Sequence, residues 1–557
     1  MNTFILLLVW LLPLALALLA GQRYAGWITV IAPLPALLAA AVVPVGSSVS
    51  LPWLLLGVEL GLDNAGRVFL LFSGLLWLVA SLYAAGSLAN EHKAMRFRIF
   101  FLLAMAGNLG LIVAQDSVSF YLGFTLMGLA VYGLIAHPAS QHARRAARRY
   151  LAWTIAGEML LFVAIVMLAM QHGGALAFTV LQSSPPAGFV VLLLIIGFGI
   201  KLALPGLHLW LPQAYAVAPA PAVAVMSGAM IKAGLLGWLR FLPPGDAALV
   251  SWGQALLVAG VTGICFGAIA GLLQRRPRLL LGYSSISKMG VLTSGMGAAL
   301  AWPDAASVII GAVVIYAAHH ALVKGALFLG LGLVERDGLH PWVLAGLVFL
   351  ALALAGAPLT SGAFAKSELT ASLPQGAQNL LFILATSAFA TTLLMARFLF
   401  LVWKQRGSKT SPLPTESLIA WLMLVAIIAI FPFAIAEADQ LMANMVPVFL
   451  GVLLSALVLL AARRLPMRAT SRTHGSATGR PVLRCRHTIR DLARRGELAF
   501  VTVRATFNSW YERTQQAVAQ RLIQLSRSSD VGTRWQLAGS LWLGIGGLLL
   551  TVFILSI

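Results

Sequence analysis

The sequence predicts an all-α, polytopic membrane protein, and composition, segment length and charge distribution each support this fold class. Hydrophobic residues make up 60% of the 557 residues and charged residues only 10%, whereas soluble domains carry roughly 25% charged residues. Apolar runs of about 20 residues recur along the chain, each long enough to cross a hydrocarbon core of roughly 30 Å as a helix. Our count of these runs predicts about 16 transmembrane helices.

The distribution of basic residues predicts the orientation in the membrane. A formal net charge of +21 would suggest nucleic-acid binding in a soluble protein, but here the basic residues cluster after odd-numbered spans. These clusters are residues 93–98, 144–149, 275–278, 404–409 and 463–495. The even-numbered connections hold acidic residues instead, namely Asp116, Asp246, Asp304, Glu437 and Asp439. Because basic loops stay in the cytoplasm, we expect a bacterial inner-membrane protein with both termini outside the cytoplasm, in contact with the lipid bilayer and not with nucleic acid.

The N-terminal region, residues 1–96, is predicted to hold three helices near residues 3–20, 25–44 and 66–86. The first apolar run lacks the basic n-region that a cleaved signal peptide needs, so we interpret it as a retained helix. Residues 45–64 are rich in Pro and Gly. They are predicted to form an external loop.

The rest of the chain is predicted to divide into four regions. Residues 97–403 form a block of ten helices, residues 404–464 carry additional transmembrane helices, residues 465–535 form a basic segment, and residues 536–557 form a final transmembrane helix. Within the basic segment, apolar residues recur at helical spacing: Phe507, Tyr511, Val518, Leu522 and Leu525. This pattern predicts an amphipathic surface helix that lies on anionic lipid head groups or docks along a neighbouring subunit.

Motifs for cofactors and nucleotides are missing from the sequence. Cys265 and Cys485 are far apart, and no Cys-x-x-Cys pair could hold an iron–sulfur cluster or a structural zinc. No glycine-rich dinucleotide or phosphate-binding motif occurs. We therefore expect no cofactor, no metal site and no catalytic residue in this chain, so any redox reaction would belong to other subunits.

Several ionisable residues fall inside the apolar helices, where each costs about 2.5 kcal/mol or more on insertion scales. They are Glu158, Lys201, Lys232, His319, His320, Lys324 and Lys366. Snorkelling from a helix end or a single interhelical polar contact could explain any one of them, but that explanation weakens as their number rises. Since burial disfavours charged lysine and a nearby carboxylate favours it, lysines and a glutamate in series can pass protons to one another.

Two of these lysines lie beside helix-breaking prolines. Lys201 precedes Pro205, and Lys366 follows Pro358. Proline removes a backbone donor, and the carbonyls it frees are tolerated in a membrane only beside water or buried protein. The breaks fall in the seventh and twelfth predicted spans, and this odd offset indicates two repeats of opposite orientation, as in many secondary transporters.

Four ordered blocks of sequence resemble the proton-translocating antiporter-like subunit family. The blocks are GFGIKLALPGLHLWLPQAYAVAPAPAVAVMSGAMIKAGLLGWLRF, LLGYSSISKMG, HHALVKGALFLG and LAGAPLTSGAFAKSE. That family includes the large membrane subunits of respiratory complex I, their counterparts in membrane-bound hydrogenases, and the large subunits of Mrp-type sodium/proton antiporters. The resemblance covers roughly residues 60–400. It implies that residues 97–403 form an antiporter-like core of two inverted five-helix repeats that contain the broken helices.

The resemblance also implies roles for individual residues. Lys201 resembles the family's central lysine on the broken seventh helix, and Lys232 resembles the connecting lysine on the eighth. His320 and Lys324 resemble the polar pair that links two half-channels, and Lys366 resembles the terminal lysine on the broken twelfth helix. In that scheme protons enter one half-channel, cross a hydrated axis and leave by the other.

Two departures from the family pattern indicate a divergent branch. The family usually has a Trp-Glu pair on the fifth helix, and Phe124 and Thr125 stand there in this sequence. The glutamate is the usual partner of the central lysine, so we predict that Glu158, one helix later, supplies the carboxylate for Lys201. The second departure is Lys288, which follows SSIS where the family usually has His or Gln.

Three functional hypotheses follow. The first is a proton or sodium/proton translocating subunit of a complex I-like or Mrp-like assembly, with other membrane subunits as partners. It could then be one subunit of an NADH:quinone oxidoreductase-like translocase. The second is the membrane subunit of a complex that takes up inorganic carbon by using an ion gradient. The third is a structural anchor that has lost transport, which the missing fifth-helix glutamate would permit.

Overall fold

The chain is almost entirely helical in the computed structural model, which describes residues 2–22, 25–54, 56–88, 91, 93–405, 411–435, 440 and 445–464, together with 509 and 513. Its helices in chain order are α1 Asn2–Leu18, α2 Ala25–Ile31, α3 Leu34–Val42, α4 Asn64–Ser87, α5 Ala94–Val113, α6 Ser117–Ala136, α7 Gln141–Gln171, α8 Phe178–Leu181, α9 Gly188–Leu202, α10 Leu211–Val217, α11 Ala220–Gly228, α12 Ala233–Phe241, α13 Val250–Leu272, α14 Pro277–Ala301, α15 Ala306–Asp337, α16 Pro341–Ala355, α17 Ser361–Ala371, α18 Gln378–Trp403, α19 Thr415–Ile435 and α20 Met445–Arg464.

The described helices include nine stretches that are long and apolar enough to cross a membrane. Five shorter apolar helices lie among the described residues as well, and α9 and α16 belong to this group. Helix α14 has 25 residues but is more polar, because it carries serines and Lys288. The predicted class of a helical, multi-pass membrane protein is confirmed.

The predicted external loop of residues 45–64 contains a β-hairpin, which the sequence did not indicate. Strand β1, Ser48–Leu51, pairs antiparallel with β2, Val58–Gly61. The buried carboxylate of Asp116 connects this hairpin to α6. It accepts a hydrogen bond from the Glu59 N–H of β2 at 2.9 Å and another from the Ser119 N–H of α6 at 2.7 Å. The same side chain therefore caps the start of α6.

Helices α13 and α14 approach closely because small residues face each other along their contact. A Cβ added to Gly260 would lie 2.4 Å from the Ser294 Oγ, and one added to Gly290 would lie 2.5 Å from the Gly260 carbonyl oxygen. Small residues of this kind let helix backbones approach where lipid offers no hydrophobic driving force. The contact holds α14 in the interior, where it also packs against α15.

Both predicted helix breaks lie beside their lysines. Helix α9 ends at Leu202, where Ala203 has a left-handed φ of 56°, and the helical path resumes only at α10. Helix α16 ends at Ala355, where Gly356 has a φ of 86°, and α17 begins at Ser361. Each break exposes helix-end carbonyls in the protein interior, where side chains can bond to them.

A third interruption lies between α11 and α12, at the 3₁₀ turn Met230–Lys232. The sequence did not predict it, because no proline marks it and Lys232 lies within a largely apolar run. Short 3₁₀ segments inside helices often mark strained or functional positions. This turn places Lys232 at its end.

Some predictions fall outside the described residues. The amphipathic surface helix around Phe507–Leu525 and the final transmembrane helix of residues 536–557 belong to this group, so both stay predictions. The described helices α1–α20 all lie in one compact unit, Met1–Arg464.

Candidate ion-translocation path

All seven ionisable residues singled out in the sequence are buried in the helical body. The exposed fraction is zero for Lys232, His320 and Lys324 and at most 6% for the others, namely Glu158, Lys201, His319 and Lys366. They lie on α7, α9, the 3₁₀ turn, α15 and α17. Snorkelling to the surface is therefore not the explanation for these side chains, because a snorkelling residue keeps its charged end in water.

Lys201 lies in the last turn of α9, directly before the break. Its Nζ donates a hydrogen bond to the Tyr150 hydroxyl at 3.2 Å. The same Nζ lies 5.3 Å from the ring centroid of Phe124 and 5.7 Å from that of Tyr150, distances at which a cation is attracted to an aromatic face. One hydroxyl and two aromatic rings therefore surround the ammonium group.

Glu158 faces the same region from α7. It interacts electrostatically with Lys201, but within the described part of the chain no ion pair of 4.0 Å or less joins the two. Its Oε1 has no hydrogen-bond partner and lies against Gly128 of α6, where an added Cβ would come within 2.4 Å of it. Thr125 stands where the family usually has this glutamate, and in the described structure the hydrogen bond of Lys201 goes to Tyr150 and not to Thr125.

Lys232 and Lys324 form the next part of the series, and each donates to a backbone carbonyl. Lys232 Nζ donates to the Ser227 carbonyl at 2.8 Å, and Lys324 Nζ donates to the Leu281 carbonyl at 2.9 Å. The two lysines are close enough to repel each other electrostatically. Neither has an acidic partner among the described residues.

The adjacent histidines of α15 differ in their contacts. His319 Nδ1 lies 3.0 Å from the Ser361 hydroxyl and so connects α15 to the start of α17. His320 has no hydrogen-bond partner for either ring nitrogen. Buried polar atoms without a protein partner are commonly bonded by ordered water, so this part of α15 is suited to hold water.

Lys366 lies beside the second break. Its Nζ donates to the carbonyl of Ala355, the last residue of α16. Gly356 gives this side chain room, because a Cβ there would lie 2.9 Å from Nζ. A small cavity next to Lys366 is lined by Val291, Tyr316, Leu369, Thr370, Leu384 and Ser387.

Lys288 belongs to the same group, although from the sequence it was predicted only to be a departure from the family pattern. Its side chain on α14 is fully buried, and Nζ has no hydrogen-bond partner among the described residues. It interacts electrostatically with Lys324, Lys366 and His319. The sequence does carry a signal for Lys288, because a lysine inside an apolar helix is costly and therefore suggests a function wherever it occurs.

The charge balance limits how many protons this group can hold at once. Five lysines lie along it, and Glu158 is the one acidic group that interacts with any of them in the described structure. Uncompensated charges in a membrane interior are costly, so protonation of all five lysines at the same time is unfavourable. No cluster of three or more metal-binding side chains occurs in the described ranges.

Comparison with known proteins matches the region that holds these residues. The family model "NADH:quinone oxidoreductase/Mrp antiporter, TM" matches residues 114–394. NAD(P)H-quinone oxidoreductase chain 4 2 of Microcystis aeruginosa is 30% identical over 349 residues, which cover 60% of this chain and 61% of that relative. NADH-quinone oxidoreductase subunit N of Desulforudis audaxviator is 32% identical over 375 residues, 62% of this chain and 72% of the relative.

Solved structures agree with this match in fold. A chain in the structure of the Mrp complex from Dietzia sp. DQ12-45-1b superposes with a TM-score of 0.70 and 21% identity, covering 100% of this chain and 63% of that one. The chain spans between 52% and 61% of the length of several curated relatives that it matches.

Proposed function

We propose that this chain, which belongs to the NADH:quinone oxidoreductase/Mrp antiporter family, moves protons or exchanges them for sodium as a membrane subunit of a larger assembly. One observation supports the proposal above all. Buried ionisable groups extend from one helix break to the other, and the lysine at each break donates to a group beside that break. A protein that needed only to anchor partners would gain nothing from these buried charges, since each one costs free energy in the membrane.

The proposed path has a defined order. At the first break, a proton would exchange between Glu158 and Lys201. It would pass by way of Lys232 to the pair His320 and Lys324, and then by way of Lys288 and His319 to Lys366 at the second break. Adjacent members interact electrostatically along most of this order. Water would bridge the gaps, since His320 and Lys288 have unpartnered nitrogens.

Repulsion between the lysines supports movement along the series. From Lys232 onward, a proton that arrives at one lysine disfavours the charged form of another lysine of the series, and no carboxylate among the described residues holds it in place there. A buried lysine without a counter-ion gives up its proton readily. Weak retention of protons favours a relay, in which each lysine passes its proton on, over a site that stores protons.

We further propose the finer membrane architecture that the sequence predicts. The chain crosses the membrane about 16 times, once for each apolar run. Its core, residues 97–403, contains two inverted repeats, and both termini lie outside the cytoplasm. The two breaks support the repeats, because each interrupts a helix beside a buried lysine, the first directly after Lys201 and the second shortly before Lys366. Other membrane subunits are the proposed partners.

Transport in membrane vesicles tests the proposal. Inverted vesicles that contain the assembled complex are given a pH gradient, and its collapse is followed with a pH-sensitive dye in the presence and absence of sodium. Lys201→Ala is expected to abolish the collapse, because it removes the group at the first break. Lys404→Ala is the matched control, since this exposed lysine lies over the Phe400 ring at the end of α18 and outside the series. Full transport by the Lys201 variant, at normal assembly, contradicts the proposal.

A further inference from the structure

The hydrogen bond of Lys201 goes to a tyrosine and not to the carboxylate that the sequence predicted as its partner. Tyr150 lies on α7, two turns before Glu158, and is 1% exposed. Its hydroxyl accepts from Lys201 Nζ at 3.2 Å and donates to the Gly128 carbonyl at 3.1 Å. Both hydrogen-bonding roles of the phenol are therefore occupied.

The ring of Tyr150 is held in place by the helix break itself. It makes an edge contact with Trp210, with 5.2 Å between ring centroids. The indole N–H of Trp210 donates to the carbonyl of Ile200, beside Lys201, at 2.9 Å. The tyrosine, the break and the lysine thus form one connected unit, so the hydroxyl has little freedom to leave its position.

Glu158 interacts electrostatically with both Tyr150 and Lys201. Its unpartnered Oε1 lies against Gly128, the residue whose carbonyl accepts the Tyr150 hydroxyl. Lys201 and Glu158 interact electrostatically, yet no bond of 4.0 Å or less closes between them in the described residues. The phenol occupies the hydrogen-bonding position that a carboxylate partner would otherwise take.

We propose that Tyr150 is a positioning residue that holds Lys201 beside the break and out of a permanent ion pair with Glu158. A direct bond to a carboxylate would strongly favour charged lysine. A neutral hydroxyl accepts from the ammonium and can also bond to the neutral amine, so it keeps Nζ in place in both charge states. The inference rests on the proposed function, in which Lys201 must both gain and lose a proton.

Glu158 is the one charged group that interacts electrostatically with Lys201 in the described structure, and the charged groups of neighbouring elements have other partners. From α7 the titratable groups that face it are Tyr150 and Glu158, and α6 presents the ring of Phe124. In the 3₁₀ turn, Lys232 donates to a backbone carbonyl. On α12, which packs against α9, Arg240 is paired with Asp63 at 3.0 Å. Glu158 is therefore the acceptor to which a released Lys201 would turn.

The test is Tyr150→Phe, which keeps the ring and removes the hydroxyl. We expect Lys201 to swing to Glu158, so that the lysine stays charged to higher pH. In the vesicle assay, the fall in transport rate at alkaline pH should then occur about one pH unit or more higher. This shift corresponds to a change of about tenfold or more in the proton affinity of Lys201. Tyr83→Phe is the matched control, since it loses a buried phenol–carbonyl bond of 3.2 Å to Leu329 without touching a lysine of the series. It should leave this pH dependence unchanged.

High-resolution cryo-electron microscopy of the complex gives a second, independent readout. In the Tyr150→Phe complex, Lys201 Nζ should lie within 4.0 Å of a Glu158 oxygen, and in the native complex it should stay on the Tyr150 hydroxyl at pH 6 and at pH 9. A variant that loses transport at all pH values supports the inference if its structure has the new ion pair. An alkaline fall in rate at the native pH or lower, or a native Lys201–Glu158 ion pair, overturns it. If Lys201→Ala is inactive and these results fail, the inference alone is wrong; if Lys201→Ala is active, the proposed function is wrong.

Discussion

Substitution of Gly128 by alanine tests whether the position of the Glu158 carboxylate matters for transport. The added Cβ would lie 2.4 Å from Glu158 Oε1 and 2.9 Å from Thr154 Cγ2, whereas ordinary contact begins at 3.4 Å. The carboxylate oxygen must therefore move by about 1 Å, and it can do so by rotation because it is the end of a flexible side chain. Misplacement of a reacting group by 1 Å can cost on the order of 100-fold in rate.

We expect Gly128→Ala to lower the rate of gradient collapse by roughly 10- to 100-fold while the complex still assembles. Gly123→Ala, on the same helix, is the matched control. Its Cβ would meet the backbone of α5, at 2.8 Å from the Leu111 nitrogen and 2.9 Å from the Gly107 oxygen, and backbone cannot rotate away. That variant should lose thermal stability and assembly instead. The reasoning is refuted if Gly128→Ala transports at the native rate, or if it loses assembly to the same degree as Gly123→Ala.

Three further predictions concern charge and orientation. Glu158→Gln keeps the shape but not the charge, so it should impair transport about as much as Lys201→Ala at normal assembly; native rates in the same vesicles would exclude Glu158 from the path. Lys288→Gln should slow transport roughly tenfold, about 1.4 kcal/mol in barrier height, whereas Lys288→His should retain more activity because imidazole also carries protons; equal rates for the two variants would argue against a relay at this position. A reporter that is active only in the cytoplasm and is fused after Ile557 should be inactive, and an active fusion would reverse the proposed orientation.

The membrane class and the positions of the helix breaks could be predicted because both depend on local chemistry. Long apolar runs have no alternative to a membrane helix. The prolines after Lys201 and before Lys366 remove backbone donors wherever they stand. The same runs favoured burial of the seven ionisable residues, and the structure excludes the alternative that their side chains snorkel to the surface.

Other features depended on tertiary contacts that sequence spacing does not show. The hairpin at residues 48–61 depends on Asp116, which is far along the chain and bonds the hairpin's backbone. The 3₁₀ turn at Lys232 carries no proline or glycine signal of its own. The role of Tyr150 was hidden because a tyrosine near a basic cluster looks like an interfacial anchor, and only the packing of α7 against α9 brings its hydroxyl to Lys201.

Transport by a Lys324→Met complex is the most direct test of the central claim that the buried series carries the ion. Lys324 is fully buried, stands between the two breaks in the proposed order and has no acidic partner in the described structure. Methionine matches its length without a charge, so assembly should be kept or improved, as when buried charges are replaced by apolar residues. The account predicts that a pH gradient in Lys324→Met vesicles persists as it does in vesicles without the complex. Collapse of the gradient at the native rate, with normal assembly, would contradict it.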